Sequence, residues 1–148
     1  MSPLTIEYEQ DYDAWLVYHI ELLRQGRLSE IDIDNVAQEL DGLSKAQRQQ
    51  LVNRLAVLLM HLLKWKYVSL RRSNSWLYTI KEQRERIRLL FKDSPSLKYQ
   101  LEDKITDAYR LGKLKAIKEA PQDQNLFPMS CPFSSEQILD DEFYPDKT

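Results

Sequence analysis

His61 and Lys64, in the run HLLKW (His61–Trp65), and Gln83 with Arg84 further on are the residues whose types and spacing come nearest to a chemical site. Residues three apart share one face of a helix. If the segments on either side of Arg71-Arg72 form an antiparallel hairpin, residues equally far from the turn lie side by side. His61 then falls beside Lys81 to Arg84, and Trp65 beside Trp76 and Leu77. Two cations, an imidazole and an amide converging in this way would hold an anion. The competing use of the same groups is a polar seam that faces solvent or the acidic N-terminal segments. The other reactive side chains carry less. His19 sits inside an apolar stripe, with no Cys or second His at metal-ligand spacing, and reads as a core histidine. Cys131 stands between Ser130 and Pro132 with no activating group beside it in the sequence. HExxH and GxSxG are absent, and three glycines leave little room for a phosphate-cradling loop. The pairs Asp32/Asp34 and Asp140/Asp141 are explained by helix starts and solvated surface. No catalytic residue, cofactor or metal is therefore expected.

Charge is partitioned unevenly. Residues 1–44 hold 10 acids and 2 bases, residues 45–118 hold 6 acids and 18 bases, and residues 119–148 hold 7 acids and 1 base. A basic middle invites nucleic acid, because Lys and Arg that neutralise phosphates release counterions. The face for it would be Arg48, Lys66, Arg71, Arg72, Arg86 and Arg88. With a net charge of −2 and a pI of about 5.7, the alternative is that the acidic ends pack on the basic middle. No zinc-finger spacing or aromatic-basic RNA motif favours the first use.

These side chains must be positioned by helices. Leu51–Val68 is apolar around most of its circumference, as a helix packed on several sides must be. Leu51, Leu55, Leu58, Leu62 and Trp65 form one stripe and Val52, Ala56, Leu59 and Leu63 the next. Before it, a polar arm at 1–10 leads to a helix at about 11–25, started by Asp11 or Asp13 and stopped by Gly26. Its buried face is expected to be Tyr12, Trp15, Leu16, His19, Leu22 and Leu23. A second helix at about 32–41, with Val36, Ala37 and Leu40 as its apolar positions, ends at Gly42. Ser44 and Gln47 then read as a capping box for the central helix, 44–68. The short break predicts antiparallel packing of these two. Ser73 or Asn74 starts a fourth helix at about 74–92, with Gln83 on its apolar side. Ser94-Pro95 starts a fifth at about 95–118. From 121 onward, prolines alternate with apolar groups. This tail, 121–148, reads as an irregular segment draped over the helices, with a short helix at about 135–139.

The run HLLKW, followed by SW (Ser75-Trp76), QR (Gln83-Arg84), SPSL (Ser94–Leu97) and Tyr109, resembles the family catalogued as domain of unknown function 29. DYDAW (Asp11–Trp15), QELDGL (Gln38–Leu43), and FP and CPF in the tail (Phe127-Pro128, Cys131–Phe133) fit the same pattern. The resemblance covers nearly the whole chain. It implies a small all-helical protein of a bacterial family rich in cyanobacterial members, and it brings no activity, ligand or partner.

The expectation is one all-α domain, 1–148: a bundle of about five helices around the third, with the tail packed on it. Length and composition suit a single folded core. One cysteine, no signal-like N-terminus and no long apolar run point to the cytoplasm rather than a membrane. The favoured function is a non-enzymatic interaction or regulatory module with a protein partner, the oligomeric state being open. A nucleic-acid accessory protein is the alternative, and an enzyme with an unrecognised active site comes third.

Overall fold

The structure is a computed structural model that describes residues 7–146, so most of the expected N-terminal arm lies outside the described residues. Among the described residues, five α-helices are joined by 3₁₀ turns and irregular segments: α1 (Tyr12–Arg24), α2 (Ile33–Tyr67), α3 (Asn74–Asp93), α4 (Leu101–Glu119) and α5 (Ser135–Leu139). Among the described residues there is no strand, and the chain is all-α as expected. It divides into two compact units between Ala46 and Gln47.

The first unit is a helical hairpin. The Asp11 side chain caps α1 by accepting from Ala14 N–H at 3.0 Å. Gly26, at φ +69°, ends it: Gly26 N–H donates to Leu23 O and Arg27 N–H to Leu22 O, the paired bonds of a left-handed glycine stop. Asp32 opens α2 by accepting from Asn35 N–H at 3.3 Å. The helices run antiparallel, since His19 meets Asp32 while Tyr12, earlier on α1, meets Glu39, later on α2.

The expected break at Gly42 is absent. The second and third helices, expected as antiparallel neighbours, are one continuous helix of 35 residues. Glycine inside a helix costs only about 1 kcal/mol against alanine, whereas stopping would forfeit several backbone bonds and require a new nucleus. The Lys45–Asp41 ion pair at 2.9 Å also bridges the glycine along one face. Ser44 and Gln47 therefore lie within a helix and do not start one.

The second unit is built on the rest of α2, where Leu51, Leu55, Leu58, Leu59, Leu62 and Leu63 are completely buried. Ile80 and Ile87 of α3, and Ile105, Ala108, Tyr109 and Ala116 of α4, complete this core. Trp15, Leu55, Leu59, Leu62 and Ile87 are buried as their spacing predicts, whereas Trp65 and Trp76 are half-buried. Gly112 lets α4 approach α2 closely: a Cβ there would stand 2.7 Å from Ala56 O.

Pro95 does not open a long helix. Pro95–Lys98 is a 3₁₀ turn, and α4 starts only at Leu101, after Gln100 at φ +51°. The Lys104 ammonium donates to Leu97 O and Tyr99 O at 2.7 and 2.8 Å, capping carbonyls that a continuous helix would have bonded to its own backbone. A left-handed residue with a side chain costs about 1–2 kcal/mol, partly offset by the greater unfolded freedom of glycine. Gln100→Gly is expected to raise stability by up to about 1 kcal/mol in denaturant unfolding; a loss would mean that the Gln100 side chain itself holds the turn.

The tail packs on this unit as expected. Phe127, Phe133 and Ile138 are buried and Phe143 is half-buried against Phe133, ring centroids 5.9 Å apart. Tyr109 Oη donates to Pro128 O at 2.6 Å, and Ser134 with Gln137 forms the capping box of α5.

Candidate functional site

The buried polar and charged side chains among the described residues are His19, His61, Lys64, Gln83 and Arg84. All four residues of the sequence-predicted anion site are thus interior, and their environments divide into two.

His61 and Lys64 face α4. His61 Nδ1–H donates to Val57 O at 2.8 Å, and the Lys64 ammonium pairs with Glu119 while lying 4.6 Å from the centre of the Trp76 ring. That last contact sets α3 beside α2 as the hairpin about Arg71-Arg72 requires. Glu119 is the residue that sequence spacing missed, because it lies on a different helix. Burial holds His61 below its ordinary 6.5, with the Lys64 charge adding to the effect, while Val57 O and Glu119 oppose it. A depressed value in the folded state means that the unfolded chain takes the proton more readily. Stability from this site is therefore complete above pH 6.5 and is lost as pH falls through the window below it. Thermal melts between pH 8 and pH 5 should show that loss, and His61→Gln should flatten it; identical slopes for the two chains would contradict the assignment. Glu39 does not confuse the window, because the Tyr12 and Tyr8 hydroxyls hold it below 4.5.

Gln83 and Arg84 face the tail and the core. Arg84 Nε donates to Ile138 O at 2.9 Å, and its Nη2 to Phe143 O at 2.8 Å and Gln137 O at 3.2 Å. The guanidinium also lies 5.3 Å from the Tyr144 ring centre, and burial lowers its pKa. Gln83 Oε1, Arg84 Nη1 and Tyr144 Oη are buried without a hydrogen-bond partner among the described residues. Lys64 is held by Glu119 of α4 and Arg84 by carbonyls of the tail, so the four residues fall into two arrangements.

The six residues of the predicted nucleic-acid face are largely engaged within the chain. Arg72 donates to Trp65 O at 2.7 Å and Pro145 O at 3.3 Å. Arg88 forks onto Asp141 at 2.6 and 2.7 Å, and Arg86 lies 3.4 Å from Glu82. Lys66 lies 5.7 Å from the Tyr67 ring centre; Arg48 and Arg71 are exposed, and Arg48 too has an interaction partner.

The surface that the sequence pattern missed lies on the hairpin of α1 and the first turns of α2. Between residues 12 and 43, two large hydrophobic side chains are buried, Trp15 and Leu22, and eight are exposed. Tyr12 and Leu23, expected on the buried face of α1, are about half exposed; Ile33, Leu40 and Leu43 are 68%, 62% and 68% exposed. The reason is a contact ridge narrower than the apolar face. Trp15 stacks on His19 at 4.2 Å, and His19 Nε2 accepts from Asp32 N–H at 3.1 Å while its Nδ1–H donates to Trp15 O at 3.1 Å. Both ring nitrogens of His19 are thus used by the hairpin itself. Tyr8 and Tyr12 donate to the two oxygens of Glu39, which moves Tyr8 up to about 12. Polar and aromatic locks close the hairpin and leave the adjoining leucines outside. The signal was present in the sequence, since α1 carries a second stripe, Leu16, Ile20 and Leu23, beside the buried one.

Among the described residues no group of three or more His, Cys, Asp or Glu is placed to hold a metal, and no helix is long and apolar enough to cross a membrane. Burial raises the Cys131 thiol pKa.

The architecture is that of a small all-helical protein with a structural polar interior and an apolar, acidic hairpin surface. The profile of the family described as Domain of unknown function DUF29 matches residues 7–144, and the chain belongs to that family. No curated protein and no solved structure matches the chain.

Proposed function

We propose that the chain is a non-enzymatic protein-interaction module that docks a protein partner through the exposed apolar face of the α1–α2 hairpin. The observation that carries this reading is the ratio of eight exposed to two buried large hydrophobics between residues 12 and 43. Scattered exposed leucines need no explanation, but a contiguous patch of them is characteristic of a contact surface. The interior polar groups support the same reading, since Lys64 and Arg84 are occupied with holding α4 and the tail and His61 is bonded to the backbone of its own helix. Nucleic-acid binding has weaker support, because Arg72, Arg86 and Arg88 already have partners in the chain.

The test is retention of partners from extract, with and without nuclease treatment, by the full chain and by Leu40→Gln/Leu43→Gln. The reading expects proteins retained by the first and released by the second. Retention that disappears on nuclease treatment, with duplex affinity falling steeply as salt rises, would transfer the function to the basic middle.

A further inference from the structure

The geometry points to a specific partner chemistry for the hairpin: we infer that its occupant is a basic amphipathic helix of another protein. This rests on the reading of the hairpin as a docking surface. At about 100° per residue, Tyr12, Leu16, Ile20 and Leu23 fall within about 80° of each other on α1. Ile33, Val36, Leu40 and Leu43 do the same on α2. On each helix the stripe lies next to the ridge that faces the other, rotated from it in the same sense. Because both helices are right-handed and run antiparallel, equal rotations lead to the same side of the hairpin. The two stripes therefore form one apolar face with a shallow valley between the helices. A single amphipathic helix laid in such a valley presents apolar residues at i, i+3, i+4 and i+7.

Charge selects among possible occupants. Residues 1–46 hold 10 acids and 3 bases. Two of those bases are paired locally, Arg27 with Glu30 and Lys45 with Asp41. Asp13 and Arg24 lie on the outer edge of α1, and Asp34 and the Asp41–Lys45 pair on the outer edge of α2, so the selection comes from the hairpin's net charge of −7 and not from either rim alone. A second copy placed face to face would set two such acidic hairpins against each other, and an anionic bilayer would meet the same repulsion. A helix with lysines or arginines beside its apolar stripe meets a hairpin of net negative charge. Complementary charge of this kind speeds encounter and suppresses wrong partners.

The experiment is calorimetric titration of the full chain with two designed 18-residue helical peptides that share one leucine stripe, one with lysine and one with glutamate at the flanking positions. At low salt the lysine peptide should bind at least about tenfold tighter than the glutamate peptide, with the gap narrowing as added salt shortens the screening length. Leu40→Gln/Leu43→Gln, which leaves the net charge unchanged, should weaken the lysine peptide by about tenfold or more. Light scattering on the same samples reports the mass of the chain alone. Equal affinity for both peptides overturns the charge argument, and so does lysine-peptide binding that the double substitution leaves unchanged. A dimer that this substitution turns into monomer assigns the face to a second copy and also overturns the inference. In each case, proteins retained from extract only by the unsubstituted face would leave the docking reading standing and remove the partner chemistry alone. Loss of that retention would remove the docking reading itself.

Discussion

Arg84→Ala is expected to cost about 3–5 kcal/mol and to release the C-terminal tail. The guanidinium is buried and donates to the carbonyls of Gln137, Ile138 and Phe143 in the tail. Each hydrogen bond from a charged donor contributes roughly 1.5–3 kcal/mol, and truncation takes that donor from the buried Ile138 carbonyl, whereas Gln137 O keeps Asp140 N–H. Arg84→Lys should recover little, because a single ammonium cannot reproduce the planar fork. Limited proteolysis should cut near Pro121–Leu126 far faster in both variants. An unchanged melt with a protected tail would show that Phe127, Phe133 and Ile138 suffice to dock it.

Leu59→Ala should cost about 2–5 kcal/mol, the range for a large-to-small change in a rigid core. Leu59 is completely buried at the α2–α4 crossing, its Cβ 3.3 Å from where a Cβ on residue 112 would stand. Neither helix can move in to fill the cavity, since Gly112 already lies against the Ala56 carbonyl. Chemical denaturation of the variant measures the loss directly; a midpoint equal to the parent's would place Leu59 outside the core.

Periodicity carried the central helix, the hairpin about Arg71-Arg72 and the docked tail, because each of those depends on apolar groups whose burial outweighs local preference. Phe127 and Phe133 bury themselves whatever the prolines around them do. Local punctuation misled at two places for opposite reasons. Gly42 reads as a stop but lies where continuing the helix is cheaper than ending it. Ser94-Pro95 reads as a strong start, yet Lys104 captures the carbonyls of Leu97 and Tyr99 and delays α4 to Leu101. Residue type picked out His61, Lys64, Gln83 and Arg84 as unusual, and all four are buried. Their partners were not legible. Glu119 is 55 positions from Lys64, and the acceptors of Arg84 are backbone carbonyls, which no residue type announces. The hairpin surface was hidden for a related reason: apolar spacing marks a face as able to be buried, not as buried.

The proposed function is carried by the exposed apolar face of the α1–α2 hairpin. Site-specific photo-crosslinking in cells, with a photoreactive side chain at Leu40 in one strain and at Arg86 in another, tests it most directly. A discrete protein adduct at position 40, and none at 86, is the predicted result. Adducts at position 86 alone, or nucleic acid attached there, would contradict it.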